Sequence, residues 1–118
     1  MAEAGLWVAW GVPARGREKQ AFETLTEAMS YLDTLRGEGK IERSDVVVLT
    51  PQSSELGGFV LIQGTQQQID SLRREEEFQT WVARVQMVAD KFGIVDVYVD
   101  QGLAPAFKRY QNALKRLG

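Results

Sequence analysis

VVVLTPQSSELGGFVLIQG, residues 46–64, reads as two short apolar runs joined by a turn. Pro51 cannot donate to a β-ladder and the Gly57-Gly58 pair permits a tight return, so the break falls between the runs. Val46 to Leu49 and Phe59 to Ile62 are apolar at every position, where a strand with one wet face alternates apolar and polar residues. Both faces of these strands need cover.

Upstream, LWVAWGV (residues 6–12) is a strand rich in Trp and Val. The loop PARG leads from it into a helical pattern. Ala21, Phe22, Leu25, Ala28, Met29, Leu32 and Leu35 recur at spacings of three and four, and Gly37 and Gly39 end the helix. Downstream, Thr65 with Gln68 forms a capping box, which opens a helical stripe from Ile69 to Phe92 that stops at Gly93. The polar block RREEE, residues 73–77, is a solvated stretch that kinks or splits this helix. VDVYVD, residues 95–100, alternates as a strand. A final helix opens at Pro105 with the stripe Phe107, Tyr110, Leu114 and Leu117, and Lys108, Arg109, Lys115 and Arg116 make its outer side basic.

The order β-α-β-β-α-β plus a C-terminal helix predicts an α+β, ferredoxin-like antiparallel sheet with both crossover helices on one face. The 118 residues form one domain, 1–118, long enough to bury a core without metal or disulfide staples. Without helices on the second face, Phe59, Leu61 and parts of the first two strands leave a patch of several hundred Å², more than a soluble monomer usually exposes. A second copy packing sheet to sheet covers it best, since 13 or so residues of C-terminal helix span only about 20 Å.

Composition narrows the chemistry. A net charge of −2 argues against general nucleic-acid binding. With no cysteine and no histidine, disulfides, thiolate zinc sites, a Ser-His-Asp triad and histidine-ligated haem all fall away. No metal and no cofactor is expected. The N-terminus MAEAGLWVAWGVP is neither a signal peptide nor a membrane span, so the expected location is the cytoplasm, away from any membrane. The loop PARGREK, with Arg15, Arg17 and Lys19, lacks a phosphate-binding glycine pattern and reads as solvated. Phe59-Val60 does not sit in the aromatic pattern of an RNA-recognition motif, because Glu55 and Gly57 stand where a basic and an aromatic residue belong.

The order of elements, the apolar sheet and the segments GREKQAFETLTEAM, GGFVLIQG and FGIVDVYVD resemble the dimeric α/β-barrel superfamily over roughly residues 5 to 100, closest to bacterial members with no assigned activity. The resemblance implies a homodimer whose two sheets enclose a cavity. The superfamily includes cofactor-independent monooxygenases, isomerases and haem-degrading enzymes. Its catalytic members often use a cavity histidine, a residue this chain lacks.

The expected function is that of a homodimeric domain that binds a small apolar molecule between its sheets, with no residue assigned to catalysis. Candidate ligand-binding residues are Trp7 and Trp10, which point to opposite faces of the first strand, Phe59, Leu61 and Gln63 on the third, and Asp96, Tyr98 and Asp100 on the last. Period two places those last three together, and they are expected on the face away from the helices, where a sheet-edge role competes with a ligand-orienting one. Two alternatives remain. One is a cofactor-independent monooxygenase or isomerase acting on a planar or phenolic molecule, with Asp96 or Asp100 as base, Tyr98 as donor and Trp7 or Trp10 as wall. The other is a structural or adaptor subunit.

Overall fold

In a computed structural model that describes residues 2–52 and 54–118, four antiparallel strands form one sheet. Strands β1 (Ala4–Trp10), β2 (Arg43–Val48), β3 (Gly58–Gly64) and β4 (Gly93–Tyr98) lie in the order β2-β3-β1-β4. Helix α1 (Glu18–Gly37) joins β1 to β2, and α2 (Gln66–Arg74) with α3 (Glu76–Val88) joins β3 to β4. A 3₁₀ turn, Asp100–Gly102, leads into α4 (Leu103–Leu117). No helix among the described residues is long and apolar enough to cross a membrane.

The core lies between one sheet face and the crossover helices. Leu6, Val8, Val60 and Ile62 from the central strands meet Ala28, Leu32 and Leu35 of α1, Ile69 and Leu72 of α2, and Phe78, Trp81 and Val85 of α3. The stripe read from the sequence is this inner face, and Trp81 is buried in it. α4 contributes nothing to this core.

Several boundaries differ from the sequence reading: the helix expected to run to Phe92 ends at Val88, β4 spans Gly93–Tyr98 and not 95–100, and α4 opens at Leu103, two residues before Pro105. β1 begins two residues early and ends at Trp10 because the chain then turns toward α3, with Gly11 N–H donating to Asp90 and Pro13 bridging Ala89. β2 begins at Arg43, before the apolar run, so of that run only Val47 shares the open face with Arg43 and Asp45. As expected, the RREEE block splits its helix, at Glu75, whose extended backbone (φ −73°, ψ 133°) ends α2 and starts α3. Lys40 Nζ holds this junction with a 3.1 Å bond to Glu75, which raises the lysine pKa.

The Thr65–Gln68 capping box forms as expected. Gln68 N–H donates to the Thr65 hydroxyl at 3.1 Å, and Thr65 N–H donates to the Gln68 carboxamide at 2.8 Å. The helix therefore starts within one residue of β3.

Candidate functional site

Strand register decides which side chains share a face. β1 pairs Trp7 with Leu61 and Ala9 with Phe59, and on its other edge Trp7 with Val95 and Gly5 with Val97. Directly paired residues project to the same side. Trp7, Phe59, Leu61, Val47, Val95 and Val97 thus form one apolar face, opposite the helices. Trp7 and Phe59 pack ring to ring at 5.6 Å. No helix-core residue lies on this face, and Val95 is 52% exposed.

Gln63 marks the polar corner of that face. It is buried, and its amide donates to Asp45 Oδ2 at 3.3 Å, while Arg43 Nε lies 3.0 Å from the same carboxylate. All three residues satisfy one another.

The last strand corrects the sequence reading. Asp96 pairs with Leu6, and Tyr98 with Ala4, both of which point to the core. Asp96 and Tyr98 therefore project on the helix side, and Val95 and Val97 take the open face. Asp96 Oδ1 sits 3.2 Å from Arg73 Nε of α2, at the exposed rim. Asp100 lies beyond the strand, in the 3₁₀ turn at φ +44°, and shares no face with the other two. Alternation was correctly read within the strand. Its phase depends on a partner strand that the sequence of β4 does not contain.

The sheet also separates the two tryptophans as expected. Trp10 falls on the helix side, where it walls a cavity of about 680 Å³ between α1, α3 and the sheet. Of the eight sequence candidates only Trp10 lines it. The floor is Val8, Trp10 and Val60, the roof is Ala21, Leu25 and Ala28 of α1 with Trp81, Val85 and Val88 of α3, and the rim is Val48–Gln52 with Leu56 and Gly57. Among the described residues lining it, Glu18 is the one that is ionisable.

The sequence carried a signal for this cavity. Along the inner face of α1 the side chains shrink from Leu35 and Leu32 to Ala28, Thr24 and Ala21. Leu25 interrupts this run of small side chains, and the cavity lies at this end of the helix. Glycine keeps the floor close: a Cβ on Gly58 would come within 2.7 Å of Val47 O and 2.8 Å of the Trp10 ring.

Behind the cavity, Trp81 stacks against Tyr31 (5.8 Å) and Phe78 (5.7 Å). The Trp81 indole N–H and the Tyr31 hydroxyl are buried without a hydrogen-bond partner among the described residues. Burial, and then the nearby carboxylates Glu77, Glu75 and Glu38, push the Tyr31 phenol up to about 12. Arg84 pairs with Glu27 across α3 and α1. Among the described residues, no three His, Cys, Asp or Glu side chains gather to hold a metal ion.

No protein-family model matches the chain. No curated protein matches it either. Solved structures do. It superposes on a dimeric ferredoxin-like protein of unknown function from Jannaschia sp. CCS1 with a TM-score of 0.60 at 18% identity, covering 82% of this chain and 98% of that one. A dimeric ferredoxin-like protein of unknown function from Bacteroides fragilis NCTC 9343 gives 0.61 at 9% identity, covering 82% and 96%. One from Thermobifida fusca YX gives 0.59 at 9%, covering 82% and 92%. About a fifth of this chain has no counterpart in these structures. The fold of this chain, with its β2-β3-β1-β4 sheet and its one-sided helical layer, is therefore the ferredoxin-like fold of a set of bacterial proteins described as dimeric.

Proposed function

We propose that this protein is a homodimeric binding domain for a small, largely apolar molecule, and that the molecule occupies the helix-side cavity of each copy. The observation that carries the reading is the cavity itself. Its volume of about 680 Å³ lies within the range of small-molecule sites, and its walls are mainly apolar, with Thr24, Thr50, Gln52, Ser54 and one carboxylate, Glu18, among the lining residues. Such walls reward hydrophobic contact. The carboxylate favours a hydroxyl or amine at the outer end of the ligand.

Asp96, Tyr98 and Asp100 lie outside the lining and have no part in this site. Trp10 is its wall. Trp7, Phe59, Leu61 and Val97 belong instead to the face through which two copies pair, a role favoured by the apolar character of that face and by the dimeric state of the structural neighbours.

The test uses anilinonaphthalene sulfonate as an apolar probe, with oligomeric mass read by light scattering. Wild type binds one probe per chain at twice the 13.2 kDa chain mass. Ala21→Phe, which fills the cavity from α1, weakens probe binding at least tenfold and leaves the mass unchanged. Phe59→Glu, on the open face, yields monomers. Undiminished probe binding by Ala21→Phe would remove the cavity reading, and a monomeric wild type would remove the dimer.

A further inference from the structure

Helix α4 carries an apolar seam that its own domain does not bury. Leu103, Phe107, Tyr110, Leu114 and Leu117 recur at spacings of four, three, four and three, the seam spacing of a helix that docks along a narrow stripe. Ala104, Ala106, Gln111 and Ala113 flank the seam, so uncharged residues line its edges. Yet Phe107 is 62%, Tyr110 66% and Leu117 86% exposed, and no residue of α4 is buried. Its one ring contact with the body uses another side of the helix: the Arg109 guanidinium sits 5.1 Å over the Tyr98 ring. The helix stands out from the domain. The radius of gyration is 16.0 Å, against about 13.5 Å for a compact chain of this length.

Charge indicates the destination. α4 carries Lys108, Arg109, Lys115 and Arg116 and no acid, which is +4 within a chain of net −2, so the rest of the chain carries −6. The rest of a second copy carries the complementary net charge. An anionic membrane attracts basic amphipathic helices too, but the acid surplus of the rest of the chain and the dimeric state of the structural neighbours favour a second copy.

We propose that α4 is an arm that reaches out of its own domain and buries the Leu103–Leu117 seam against the second copy of the dimer. The inference rests on the homodimer proposed above and adds an interface to it. Each copy gives an arm and receives one, as two-fold symmetry requires. The electrostatic share of the contact weakens as salt rises.

The experiment compares full-length wild type with the double variant Phe107→Asp, Leu114→Asp. Sedimentation equilibrium gives the dimer dissociation constant, circular dichroism checks the fold, and pelleting with phosphatidylserine–phosphatidylcholine vesicles tests the other occupant. A benzophenone attached at Tyr110→Cys, the sole thiol in this cysteine-free chain, reports proximity directly. The arm is supported by a dissociation constant weakened about a hundredfold in the variant, with the spectrum of the sheet and crossover helices retained and with covalent dimers at twice the chain mass on irradiation. An unchanged dissociation constant with no photo-dimer overturns the arm while leaving the dimer standing. Vesicle pelleting by wild type that the variant loses assigns the seam to membranes and also overturns it. A wild type that sediments as a monomer takes the homodimer away first, and the arm with it.

Discussion

Arg73 Nε of α2 lies 3.2 Å from Asp96 Oδ1 of β4, and this bridge marks which face of the last strand looks toward the helices. The side chains are 38% and 73% exposed, so the pair orients the strand edge more than it stabilises the fold.

Asp96→Asn should accordingly change unfolding free energy by less than about 1 kcal/mol in urea. It should leave binding of the apolar probe within twofold of wild type, as should Tyr98→Phe, which keeps the ring beneath Arg109. A large loss of binding in either variant would return these residues to the site.

Gly58 governs how closely β3 approaches Trp10. Gly58→Ala brings a methyl group against the Val47 carbonyl and the indole, contacts of 2.7 and 2.8 Å that must open. The expected cost is about 1–3 kcal/mol, as for other overpacked sites. The Trp10 emission should shift at the same time, since the ring is displaced toward the cavity. Wild-type stability would show that the strand yields freely.

Thr65→Ala removes the acceptor for Gln68 N–H and should cost about 1 kcal/mol in thermal or urea unfolding. Gln68→Ala should cost more, because Gln68 Nε2 also donates to Gly39 O at 2.9 Å and so ties α2 to the end of α1. A double-mutant cycle between the two should give non-additive losses, since both residues belong to one reciprocal cap. Additive losses would mean that the two bonds act separately.

Tyr31 predicts an alkaline limit to stability. Its pKa stands at about 12 in the folded chain, against 10.0 for the free side chain, so between these values the folded state holds a proton that the unfolded state has released. Stability from this group is complete below pH 10 and is lost as pH rises through about 12. Absorbance titration should show one of the three tyrosines ionising late. Tyr31→Phe should abolish that late phase and flatten the pH dependence. It should not destabilise the protein at neutral pH, because the hydroxyl it removes has no partner among the described residues.

Sequence order alone determined the elements and the class of fold. The apolar runs at Val46–Leu49 and Phe59–Ile62, the stripe Ala21–Leu35 and the Thr65 cap are local signals, each written in residues two to four positions apart. Signals of this kind placed the four strands and the α-helices to within a few residues, and the block RREEE announced the split that Glu75 makes. The sidedness of Trp7 against Trp10 followed from the pleat. Which of the two enters the core did not.

Tertiary pairing settled that question, and it settled the phase of β4. The residues Asp96 and Tyr98 read as an exposed polar face because they alternate with valines. Their side is fixed by the register that sets Asp96 beside Leu6 and Tyr98 beside Ala4, and register belongs to two strands at once. The cavity has the same origin. Ala21, Thr24 and Ala28 were visible as small residues, but space appears only where a helix end, a strand end and the β2–β3 loop converge around Trp10. A sequence states how each segment folds along itself, whereas faces and voids arise from what each segment meets.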